Sequence, residues 1–78
     1  MRDRLVKIME EILNEKINNL NDDDIIPENL ENWDSLKHLS LVTALEDEFN
    51  IVLEPNEIIL MNQGIKYIID VLKKHGVN

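Results

Sequence analysis

The chain has 78 residues, a length for one domain, residues 1–78, whose modest core leaves little room for a deep active site with several buried catalytic groups. At 44% hydrophobic residues it still has enough apolar material to pack, which excludes disorder. Sixteen acidic against eight basic residues give a formal charge of −8, so nucleic acid and anionic membrane surfaces would repel it.

Taken in order, the first predicted helix runs from about Asp3 to Asn18. Leu5, Ile8, Met9, Ile12, Leu13 and Ile17 recur there at helical spacing, and Lys and Glu fill the other face. Asn21 to Trp33 is a long connection through which Pro27 forbids a continuous helix. Ile25, Ile26 and Leu30 are expected to pin it to the body. So long a loop in so small a domain is uncommon and often functional. The second helix spans about Ser35 to Phe49, with Asp34 or Ser35 as its cap. Leu41, Val42, Leu45 and Phe49 form its inward face, while Leu36 and Leu39 point to another side and are expected to be partly exposed.

Asn50 to Pro55 reads as a turn, and Pro55 suits the first position of a helix. A brief third helix covers about Asn56 to Leu60. The fourth, about Gln63 to His75, carries Ile65, Ile68, Ile69 and Leu72, and Gly76 ends it. No segment alternates with period two, so no sheet is expected. The predicted architecture is all-α, a small bundle of three longer helices and one short one.

Charge is unevenly spread. From Asn21 to Leu60 there are eleven acids and one base, Lys37, and seven of the eight bases lie outside that stretch. The middle of the chain therefore offers an acidic surface, either for basic partners or simply for solubility. There is no cysteine, which excludes disulfides and thiolate metal sites, and His38 and His75 lack ligand-pair spacing. Asp22-Asp23-Asp24 does not open a calcium loop: the twelfth residue is Trp33 and no glycine intervenes. No metal is expected. No apolar run is long enough for a signal peptide or a membrane span, so a cytoplasmic protein is expected.

His38 follows Ser35 by three residues, on one helix face, but no third group or oxyanion hole accompanies the pair, so no hydrolase is expected.

Asn32-Trp33-Asp34-Ser35-Leu36-Lys37-His38-Leu39 resembles the acyl carrier protein signature, in which Asp-Ser-Leu opens the second helix. Leu45-Glu46-Asp47-Glu48-Phe49 follows at the family's spacing, and Ile51-x-Leu53-x-Pro55 resembles its turn into a short third helix. The likeness covers nearly the whole chain. It implies an acyl-carrier-protein-like bundle without enzymatic activity of its own. Ser35 would receive 4′-phosphopantetheine from coenzyme A through a phosphopantetheinyl transferase, and cargo would ride as a thioester on the arm's thiol. The thiol missing from the sequence would thus arrive with the prosthetic group. Partner enzymes of fatty-acid, polyketide or related biosynthesis, with basic surfaces, would meet Asp34, Leu36, Leu39, Thr43, Glu46 and Asp47. A monomer is expected.

Trp33 is expected to pack on the body and fix the loop's entry angle. Lys37, His38, Thr43 and the apolar run Ile58-Ile59-Leu60-Met61 depart from the carriers of primary fatty-acid synthesis, and Trp33-Asp34-Ser35-Leu36-x-His38-Leu39 instead resembles freestanding carriers of specialised pathways. A medium acyl chain would tuck between the helices, against Leu45, Phe49, Met61 and Ile65. Two other functions fit the residues: an aminoacyl or peptidyl carrier of nonribosomal assembly, and a noncovalent acidic helical adaptor in which Ser35 only caps a helix.

Overall fold

The computed structural model describes all 78 residues. It contains four α-helices and no strand: α1 (Arg2–Leu13), α2 (Ser35–Phe49), α3 (Pro55–Met61) and α4 (Ile65–Lys74). Two 3-10 turns, Asp22–Asp24 and Pro27–Asn29, lie in the long connection. The all-helical bundle is the one that the apolar periodicity predicts. α1 packs on α2, α3 packs on α4, and α4 also meets the first 3-10 turn.

α1 buries Leu5, Val6, Met9 and Leu13 along one stripe. It stops at Leu13, five residues before the predicted end. Asn14 takes the left-handed conformation with φ 53°, which asparagine tolerates better than most residues. The Glu10 carboxylate then accepts the backbone N–H groups of Ile17 and Asn18 at 2.8 and 3.1 Å. Ile17 is nonetheless fully buried, because the loop turns it inward. Asn32 reaches back to donate its side-chain N–H to the Leu13 carbonyl at 2.9 Å, tying the loop's far end to the end of α1.

Ile25 and Leu30 pin the connection as expected, and Ile26 is half-buried. Ile25 also offers its carbonyl to the Ile65 N–H at 3.0 Å, so the loop meets the start of α4. That junction requires Gly64. Its φ is +146°, and a Cβ there would lie 2.9 Å from Ile26 Cγ2 and 3.1 Å from the Ile25 carbonyl. α4 consequently begins at Ile65 and not at Gln63. It closes as a Schellman turn: Val77 N–H binds the Leu72 carbonyl and Gly76 N–H binds that of Lys73, both at 3.0 Å.

α3 is one residue longer at each end than the sequence suggests. Pro55 occupies its first position, and Glu54 and Glu57 form a reciprocal capping box. Met61, at its last position, is fully buried. A single cluster of 17 buried apolar residues joins all four helices and the loop. Phe49, expected to face inward, is only half-buried, and the Arg4 guanidinium lies 4.9 Å from its ring centre.

Candidate functional site

The loop enters α2 through a hydrophobic staple. Trp33 precedes the cap and packs on His38 one turn into the helix, with ring centres 6.0 Å apart. Trp33 is buried, as expected. Asp34 is the cap: its Oδ1 accepts the Lys37 N–H at 2.8 Å. Ser35 is therefore relieved of capping. It sits at the first helical position, exposed, with its hydroxyl uncommitted. The Ser35 and Leu36 amides have no acceptor within the helix, and the positive end of the 15-residue α2 dipole lies beside them.

Beside Ser35 a groove of about 240 Å³ opens between α2 and α3, lined by Ser35, His38, Leu39, Ile58, Ile59 and Asn62. Its rim is apolar and exposed: Leu39 is 56% accessible, Ile59 72%, and the neighbouring Leu36 77%. Isolated exposed aliphatics are ordinary, but three around one uncommitted hydroxyl make a patch that suits contact with another molecule.

His38 forms the floor of this groove. Its Nδ1 accepts the Trp33 indole N–H at 3.0 Å, and its Nε2 lies 2.8 Å from the Ile58 carbonyl. The indole can only donate and the carbonyl can only accept, so His38 is the neutral tautomer protonated on Nε2. Neither nitrogen is free to take a proton from Ser35, and the conceivable Ser–His pair does not form.

The structure brings only Ser35 and Leu39 of the candidate residues into the groove. Leu36, Ser40, Thr43 and Asp47 follow at helical spacing along the exposed side of α2. The Thr43 hydroxyl turns back to the Leu39 carbonyl at 3.1 Å. Glu46 is partly buried, and its carboxylate accepts the Leu53 N–H at 2.8 Å, fixing the turn into α3. Glu48 pairs with Arg4 from α1. Of the acidic run 46–48, Asp47 alone stays exposed without a partner inside the molecule. Asp22 and Asp23 are likewise paired, with Arg2 and Lys66.

Sequence reasoning missed Ile59 as a rim residue and His38 as a bridge. The available signal was the four-residue apolar run Ile58-Ile59-Leu60-Met61, since successive residues about 100° apart carry such a run around most of the helix and leave part of it outside any one core face. The His38 bridge joins residues 20 positions apart and leaves no local pattern.

Compared with family models, curated proteins and solved structures, the chain matches none of them. No helix is long and apolar enough to cross a membrane.

Proposed function

We propose that this chain is a freestanding carrier of the acyl carrier protein type, holding acyl groups as thioesters on a 4′-phosphopantetheine arm attached to Ser35. The observation that carries the reading is the exposed Ser35 hydroxyl, freed by Asp34 from capping, at the mouth of an apolar groove. The sequence likeness around Asp34-Ser35-Leu36 and Leu45-Glu46-Asp47-Glu48-Phe49 supports the same reading. When bound, the arm supplies the thiol that a cysteine-free chain lacks.

The chain's own residues fit such a group. The unpaired amides at the start of α2 and the helix dipole favour a phosphodiester on Ser35. Nothing beside Ser35 activates its hydroxyl, so an external phosphopantetheinyl transferase must do so. Leu36, Leu39 and Ile59 offer that enzyme, and the acyl-loading enzymes after it, an apolar contact, with Asp34 and Asp47 as the exposed charges nearby. The apolar lining of the groove favours an acyl over a polar aminoacyl cargo. A carrier that shuttles among enzymes would act as a monomer.

Intact-protein mass, measured after incubation with coenzyme A and a broad-specificity phosphopantetheinyl transferase, tests this. The expected result is a gain of one phosphopantetheine that disappears in Ser35→Ala. No gain with several transferases would remove the reading and leave a noncovalent adaptor.

A further inference from the structure

Both histidines of the chain are attached to α3, at adjacent residues: His75 to the Glu57 carboxylate and His38 to the Ile58 carbonyl. The second attachment fills a vacancy that the helix itself creates. α3 ends at Met61, so its last four carbonyls have no amide one turn on. The N–H groups of Asn62, Gln63 and Gly64 turn to the carbonyls of Ile59, Leu60 and Met61. Ile58 is left without a backbone donor, and His38 Nε2–H supplies one. The ring is 5% exposed, and its other nitrogen is held by Trp33. One side chain thus joins the loop before Ser35, α2 and α3, at the floor of the groove that starts at Ser35.

We propose that His38 sets the size of cargo this carrier holds, by bolting α3 to α2 so that a Ser35-linked acyl group stays in the surface groove and out of the core. This rests on the carrier reading above. The groove, at about 240 Å³, is below the roughly 300 Å³ at which pockets begin to enclose drug-sized ligands. It suits a short aliphatic acyl group. Behind it Leu45, Met61 and Ile65 have no solvent exposure. A long chain reaches those residues only if α3 moves away from α2, and that movement breaks the His38–Ile58 bond. The expected seat against Leu45, Phe49, Met61 and Ile65 therefore belongs to the protein with α3 released.

Two substitutions separate the two halves of the bridge. His38→Gln retains an N–H long enough to reach the Ile58 carbonyl. His38→Asn retains an acceptor where Nδ1 faces Trp33 and loses the donor to α3. Wild type and both variants are loaded from butyryl- and decanoyl-coenzyme A by a broad-specificity transferase, and their thermal midpoints are compared. Amide exchange of α3 is followed in the unloaded proteins. Butyryl should raise the midpoint in all three proteins. Decanoyl should add nothing beyond butyryl in wild type and His38→Gln, and should raise the midpoint further in His38→Asn. Exchange in α3 should be severalfold faster in His38→Asn than in the other two. A larger midpoint gain from decanoyl than from butyryl in wild type overturns the inference, and that comparison holds even if His38→Asn fails to fold. Equal exchange in all three overturns it as well. If the arm's mass never appears, the carrier reading fails and this inference with it. If the arm is gained without discrimination by length, only this inference fails.

Discussion

At the scale of single residues, the site depends on which of two neighbours caps α2. Asp34 and Ser35 are both good caps, and the sequence left the choice open. The 2.8 Å bond from the Lys37 N–H to Asp34 decides it. Asp34→Ala should therefore cost about 1 kcal/mol, the usual loss for an N-cap. Ser35→Ala, at an exposed first position, should stay within about 0.5 kcal/mol of wild type. Urea unfolding of both variants checks the asymmetry, and a larger loss for Ser35→Ala would return Ser35 to a capping role. Gly64 is the residue with least freedom. Gly64→Ala meets Ile26 Cγ2 at 2.9 Å with φ at +146°, and should cost on the order of 1–3 kcal/mol. Its effect on the proposed modification of Ser35 should be small, because Gly64 does not line the groove. Glu46 and Glu48 show what a sequence conceals at this scale. Both look like free surface acids, yet one holds the Leu53 amide and the other the Arg4 guanidinium. Neither partner lies within helical reach along the chain, so no local pattern reveals it.

At the scale of elements, the three longer helices were legible because their apolar stripes repeat every three or four residues. Their ends were less so. Ile17 continues the stripe of α1 in sequence, yet it is buried by a turn and not by the helix, since Asn14 breaks the helix and Glu10 holds the chain that follows. α3 is the element most dependent on its surroundings. Seven residues are too few to form a stable helix alone. Its order comes from the capping box, the buried Met61 and the two histidine attachments. Glu57 sits in two of these. Its carboxylate accepts the Glu54 N–H and also meets His75 at 3.0 Å, and these bonds, the Glu54 one foremost, hold its pKa below the ordinary glutamate value. A lowered folded pKa gives stability that is fully present above the unfolded value of about 4.3 and is lost as pH falls through the folded one. Acid should therefore loosen α3, and wild type should lose stability from about pH 5 downward. Glu57→Gln should be less stable than wild type at pH 7 and less sensitive to acid, read as the slope of thermal midpoint against pH. Asp23, lowered chiefly by its hydrogen bond with Lys66, contributes a slope of the same sign, so some acid sensitivity should persist in the variant.

At the scale of the whole molecule, the arrangement of charge differs from its order along the chain. The acidic middle and the basic ends fold onto each other: Arg2 meets Asp22, Arg4 meets Glu48, and Lys66 meets Asp23 at 2.8 Å. The uneven distribution seen in the sequence is thus partly a set of internal pairs. These pairs are exposed, and water and salt screen such pairs so that each adds little to stability. Against them stands a net charge of −8 in a body measuring 27 × 23 × 19 Å. At 0.01 M salt the screening length is about 30 Å, so every charge in the molecule feels every other. At 0.15 M it is about 8 Å, and the long-range repulsion fades while close pairs persist. Salt should therefore stabilise this protein. Between those two concentrations the expected gain is on the order of 1 kcal/mol, which for a domain of this size is a rise of roughly 4–8 °C in thermal midpoint. Arg4→Ala removes one pair and one positive charge, so its deficit should be largest at low salt and shrink as salt is added. A midpoint that falls with salt would mean that the three pairs outweigh the repulsion. The acidic middle would then serve chiefly to hold the helices together, and less of it would be left to attract basic partners to the face around Ser35.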